Sequence, residues 1–101
     1  GIAEVQESLK AAGLPENIMV DCSHGNSGKN AVRQRDVFRD VIGQIKAGDR
    51  KIIGIMLESS LKGGRQDLVP GKLEYGVSVT DECLGWEDTE KMILEGHKKL
   101  G

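Results

Sequence analysis

A chain of 101 residues has room for one domain, and its net charge of −2, with both signs interspersed, offers no basic face to nucleic acid. No apolar run approaches the roughly 20 residues needed to span a bilayer, so no membrane partner is expected. Aromatic residues make up 3% of the chain (Phe38, Tyr75 and Trp86), so any core built from it is aliphatic and small.

The opening residues predict a helix over 2–13. Ile2, Val5, Leu9 and Ala12 fall on one stripe, and Gly13 followed by Pro15 ends it. A chain that begins inside a helix, without Met and without a secretory leader, reads as a piece of something longer. Ile18-Met19-Val20 is too short for a helix and predicts a strand over 18–22 that runs into His24. Gly25-Asn26-Ser27-Gly28 then reads as a turn. A second helix is predicted over 31–47, with Phe38, Val41, Ile42 and Ile45 on one apolar face and Gly48 just past its end. The unbroken apolar run from Ile52 to Leu57 predicts a strand over 52–57, covered on both faces as in a parallel sheet.

From 59 to 86 there is no helical period, and a loop of that length in a small domain points to function. Val77-Ser78-Val79-Thr80 could form a short strand inside it. A last helix is predicted over 88–99, with Met92, Ile93 and Leu100 turned inward. Cys22 and Cys83, two thiols without a secretory signal, fit a reducing compartment better than a disulfide.

Strands alternating with helices imply parallel β/α units and an α/β fold. Two strands cannot close a sheet, and a complete β/α barrel takes roughly 250 residues. The residues therefore read either as part of such a barrel or as a module that completes itself by association.

Three polar residues share one topological address. His24 follows the first strand, Glu58 follows the second, and Asp81 follows the extended run in the long loop. Carboxyl-terminal ends of parallel strands face a common mouth where active sites form, and one imidazole with two carboxylates suits a divalent transition metal. Plainer readings stand beside this one. His24 could be a hydrogen-bonded surface residue, Glu58 could be paired or placed at an exposed strand end, and Asp81 could be a turn residue or helix cap. Gly25 to Lys29, ahead of a helix, could bind an anion through backbone N–H groups, although the phosphate-loop spacing is absent. Trp86 reads as packing, Lys98-Lys99 as an ordinary cationic helix end, and His97 as solvated and inert.

Three stretches occur in the order of one family: Val20-Asp21-Cys22-Ser23-His24-Gly25-Asn26-Ser27-Gly28-Lys29, Gly54-Ile55-Met56-Leu57-Glu58-Ser59, and Tyr75-Gly76-Val77-Ser78-Val79-Thr80-Asp81-Glu82-Cys83-Leu84-Gly85-Trp86-Glu87. Together they resemble the type I 3-deoxy-D-arabino-heptulosonate 7-phosphate (DAHP) synthases, also called phospho-2-dehydro-3-deoxyheptonate aldolases. The resemblance implies that residues 1–101 are the C-terminal portion of a (β/α)8 TIM barrel, holding its last two strands with flanking helices and incomplete alone. It implies a transferase that condenses phosphoenolpyruvate with D-erythrose 4-phosphate to DAHP and phosphate, the first step of the shikimate pathway to aromatic amino acids. The fragment by itself is expected to be inactive.

The same resemblance implies a divalent metal ion (Mn, Fe, Co or Zn) held by His24, Glu58 and Asp81, with a fourth ligand, a Cys, outside this chain. Cys22 matches no ligand position and is assigned to packing, and Cys83 is given no chemistry. A cytoplasmic homo-oligomer is expected. Ser60 departs from the His or Asn common after Glu-Ser, and Gly63-Gly64-Arg65-Gln66 departs from Glu-Gly-Asn-Gln, so loop contacts differ while the ligand positions match. Two alternatives remain: an isolated non-catalytic association module, and the related 3-deoxy-octulosonate 8-phosphate synthase, whose motifs around the His, Glu and Asp differ from those quoted.

Overall fold

The computed structural model describes residues 1–23 and 30–101. The elements run α1 (Ile2–Ala11), β1 (Ile18–Asp21), α2 (Ala31–Lys46), β2 (Ile52–Met56), β3 (Ser59–Ser60), β4 (Leu84–Gly85) and α3 (Trp86–Leu100). The two long strands, β1 and β2, pair in parallel, as do β3 and β4. Among the described residues no helix is long and apolar enough to cross a membrane.

Glycine placement explains where the first two helices stop. Gly13 (φ 71°) and Gly48 (φ 117°) take a left-handed conformation open to glycine at little steric cost. Beyond α1, Gly13 N–H donates to Lys10 O and Leu14 N–H to Leu9 O. Beyond α2, Gly48 N–H donates to Ile45 O and Asp49 N–H to Gln44 O. Both ends are Schellman motifs, which satisfy carbonyls that the helix leaves open. The first helix therefore ends at Ala11 rather than at 13.

The core is one cluster between the sheet and α2. Phe38, Val41 and Ile42 of α2 pack with Cys22, Ile52, Leu84 and Met92, while Ile18, Val20 and Ile55 line it from the strands and Leu57 from just past β2. In the β1–β2 ladder Ile18 pairs with Ile52 but Met19 with Gly54, leaving Ile53 as an extra residue. This bulge re-aims the strand. It leaves Met19, Ile53 and Met56 with exposures of 65%, 68% and 38%. The expectation of two covered faces is thus corrected: helices cover one face of the sheet, and the other is open.

Several other expectations change. No residue of α1 is buried, so its predicted apolar stripe has little to pack against. In α3 the inward residues are Thr89, Met92 and Gly96, while Ile93 and Leu100 are largely exposed. The α3 helix begins at Trp86, two residues before 88, because β4 feeds straight into it through Gly85. The 59–86 segment contains β3 and β4, and Val77–Thr80 forms no strand, only a bridge between Ser78 and Arg65. Both cysteines are free thiols.

The molecule is flat. It measures 52 × 31 × 17 Å with a radius of gyration of 16.0 Å, against about 13 Å for a compact domain of this length.

Candidate functional site

The parallel ladder brings the ends of β1 and β2 to one edge. Asp21 pairs with Met56, so both strands end together. The chain that continues from β1 leads through Cys22 and Ser23 to His24, and the chain that continues from β2 leads through Leu57 to Glu58. His24, like Gly25 to Lys29, lies outside the described residues. The β1 exit is fixed locally: the Ser23 backbone N–H (2.9 Å) and hydroxyl (2.5 Å) both donate to Asp21 Oδ1. Ser23 is buried, which ties that turn to the core.

Glu58 is held by α2. The Gln34 side chain accepts from the Glu58 N–H at 2.8 Å and donates to the Glu58 carbonyl at 2.9 Å. Gln34 itself is 2% exposed. It sits on the same stripe as Ala31, Phe38 and Val41, so the core face of α2 carries one amide aimed at the end of β2. Residue 59 is braced from the other side, where the buried Thr89 hydroxyl of α3 lies 2.8 Å from Ser59 Oγ and 3.0 Å from Gly85 O.

Asp81 arrives on the long loop, three residues before β4. Ser59 pairs with Leu84 and Ser60 with Gly85 in parallel, so Glu58 and Cys83, one residue earlier on each strand, enter side by side. Neighbouring strands lie about 4.8 Å apart, so the chain enters β4 beside the residue that follows Glu58. The loop is anchored on both sides of Asp81. Arg65 Nε donates to Thr80 O at 2.7 Å, while Gly64 and Cys83 exchange backbone hydrogen bonds of 2.9 and 3.2 Å. Gln66 braces the loop interior, donating to the carbonyls of Glu74 (2.7 Å) and Val77 (2.9 Å). Glu82, next to Asp81, accepts from the Ala31 N–H of α2 at 3.1 Å.

The first turn of α2 is therefore the common anchor. It follows the His24 segment, grips Glu58 through Gln34 and receives the Asp81 loop through Glu82. Its open N–H groups are already served, Ala31 by Glu82 and Val32 by Asn30 Oδ1 at 3.0 Å. The anion-binding reading of Gly25 to Lys29 falls on residues outside the described ones. Sequence reasoning passed over Gln34 and Glu82. The available signal was a lone Gln at i+3 and i−4 from apolar positions of a core stripe. Glu82 carried none.

Glu58 and Asp81 are half-buried and both engaged in interactions. Among the described residues, which exclude His24, no three His, Cys, Asp or Glu side chains gather into a metal-holding group. As a donor set, an imidazole and two carboxylates fit a divalent transition metal. Cys22 is poorly suited to join them, because burial, with a lesser push from Asp21, raises its thiol to about 11 and keeps it protonated. Trp86 is half-exposed at the start of α3, and His97 is exposed near its end.

The sequence model described as the DAHP synthetase I family matches residues 1–94. The chain is 50% identical over 95 residues to the Phe-sensitive phospho-2-dehydro-3-deoxyheptonate aldolase of Escherichia coli K12, covering 93% of this chain and 27% of that protein. It is 46% identical over 101 residues to the Tyr-sensitive enzyme of Salmonella typhimurium, covering 98% of this chain and 28% of that one. The solved structure of phospho-2-dehydro-3-deoxyheptonate aldolase from Francisella tularensis SCHU S4 superposes with a TM-score of 0.90 at 39% identity, over 98% of this chain and 29% of its own. The chain thus spans a little over a quarter of the length of these relatives.

Proposed function

The chain belongs to the DAHP synthetase I family, and from that membership we propose that it supplies the last two strands of a (β/α)8 barrel that condenses phosphoenolpyruvate with D-erythrose 4-phosphate. One water is consumed, and the products are DAHP and phosphate. The observation that carries this reading is that the first turn of α2 holds the Glu58 backbone through Gln34 and the carboxylate of Glu82, the residue after Asp81, through the Ala31 N–H.

The shape supports an incomplete barrel. The sheet face bearing Met19, Ile53 and Met56 is uncovered, as the interior of an unfinished barrel would be. An open groove of about 730 Å³ runs beside β1 between α1 and α2, lined by Val5, Ile18, Met19, Val37 and Val41 among others. Among the described residues β1 and β2 each have a single strand neighbour.

In this reading His24, Glu58 and Asp81 hold a divalent ion (Mn, Fe, Co or Zn), with a Cys from outside this chain as the fourth ligand. When bound, the ion supplies Lewis acidity toward the aldehyde oxygen of the sugar phosphate. The chain's own work is positional. Gln34 fixes the backbone that carries Glu58, and Arg65 and Glu82 fix the loop that carries Asp81.

The test uses the whole protein. Phosphate release from phosphoenolpyruvate should require both erythrose 4-phosphate and a divalent metal, stop with a chelator and return with Mn2+. His24→Ala, Glu58→Gln and Asp81→Asn should each lose at least 100-fold in kcat. Equal turnover with arabinose 5-phosphate, or metal-independent turnover, would overturn the assignment.

A further inference from the structure

We propose that the first turn of α2 sets the separation between the Glu58 and Asp81 carboxylates, with Gln34 the positioning residue for Glu58 and Glu82 the tether for the Asp81 loop. This rests on the reading that both carboxylates bind one divalent ion.

Gln34 is a costly choice for packing alone. It occupies a 2% exposed position on a stripe shared with Ala31, Phe38 and Val41, where Leu or Met would fill the space without a polar group to satisfy. Both ends of its amide go to one residue: Oε1 takes the Glu58 N–H and Nε2 gives to the Glu58 carbonyl. Two bonds to the N–H and C=O of the same residue grip it as a neighbouring strand would. They act just where the β2 ladder has ended at Met56. The two bonds restrain the peptide planes on both sides of Glu58, so α2 biases the direction of its Cα–Cβ bond.

The second arm is independent in sequence and reaches the same turn. Glu82 lies 51 residues from Ala31 and accepts its N–H at 3.1 Å. With Arg65 on Thr80 and Gly64 on Cys83, this leaves Asp81 between fixed points on each side. Residues that orient ligands from behind typically change metal affinity by about 10–100-fold when removed.

The experiment titrates Mn2+ alone into the metal-free whole protein, following free Mn2+ by electron paramagnetic resonance, beside metal-free melting, kcat and KM. Gln34→Met should raise the Mn2+ Kd by about 10–100-fold and lower kcat. Glu82→Ala, at an exposed position, should raise it by about tenfold with little change in metal-free melting. Gln44→Met, on the same helix but bonded to Asp40, serves as the control and should leave Kd at the parental value. A Mn2+ Kd within twofold of the parent in both Gln34→Met and Glu82→Ala would overturn the proposal; should Gln34→Met not fold, Glu82→Ala decides alone. A parent that binds Mn2+ yet releases no phosphate from the two substrates defeats the proposed reaction, while the Kd values still judge the scaffold. A parent that binds no Mn2+ defeats both.

Discussion

Gly96 of α3 lies directly against the ring of Phe38 of α2: a methyl group added at position 96 would stand 2.7 Å from Phe38 Cζ and 2.9 Å from Cε1. The two helices that frame the candidate site therefore meet at a point where no side chain fits, and the 6% exposed ring has little room to withdraw. Gly96→Ala gains up to about 1 kcal/mol of helix propensity but forces an overpacked contact that costs about 1–3 kcal/mol. With the full propensity gain the expected net result is a loss of about 0–2 kcal/mol in urea denaturation. A stabilised variant would show that the helices can part freely.

Gly43 gives the opposite sign. It also lies inside a helix, yet a Cβ there meets nothing within 4 Å. Only the backbone entropy of glycine remains in play, so Gly43→Ala should stabilise the protein by about 0.5–1 kcal/mol. The pair, measured under one set of conditions, separates helix propensity from helix packing.

Cys22 predicts a pH dependence. Its thiol is raised from 9.0 to about 11 by burial, with a further push from Asp21. The fold therefore favours the protonated thiol. That contribution is complete below about pH 9 and is lost as the pH rises toward 11. With metal removed, the stability difference between the parent and Cys22→Ala should be constant from pH 7 to 8.5. It should then shrink by on the order of 2 kcal/mol by pH 11. Difference curves that stay parallel across that range would refute the assignment.

The sequence made the long elements legible because their signals are repetitive. The stripe of Phe38, Val41, Ile42 and Ile45 marks α2, and Gly13 and Gly48 mark helix ends through the one conformation that favours glycine. What it hid was set by contacts between segments far apart in the chain. The Ser59–Leu84 pairing joins residues 25 apart, and two-residue strands carry no periodicity. Thr89 and Gly96 face inward for a hydroxyl bond and a close approach, which a count of apolar residues passes over. The run Ile52–Met56 looked covered on both sides because a strand destined for two covered faces has the same composition whether or not its second neighbour is at hand. In the candidate site, His24, Glu58 and Asp81 stood out as polar residues at strand exits. Gln34 was masked by the helix it belongs to.

The last prediction concerns the 101 residues alone. Their sheet exposes Met19, Ile53 and Met56 together, and β1 and β2 each leave one edge without a strand partner among the described residues. Open edges beside an apolar face template further pairing. The isolated chain should therefore associate. Light scattering should give a mass that climbs with concentration, and a dye that reports exposed apolar surface should brighten. Under the proposed reading, in which a fourth ligand and the other barrel strands come from outside these residues, it should also release no phosphate from phosphoenolpyruvate and erythrose 4-phosphate with added Mn2+. A monodisperse monomer with dispersed amide resonances would mean that the open face is tolerated in water and that the barrel is unnecessary for this part to fold. Turnover by these residues alone would mean that the strands shown here already contain a complete catalytic centre.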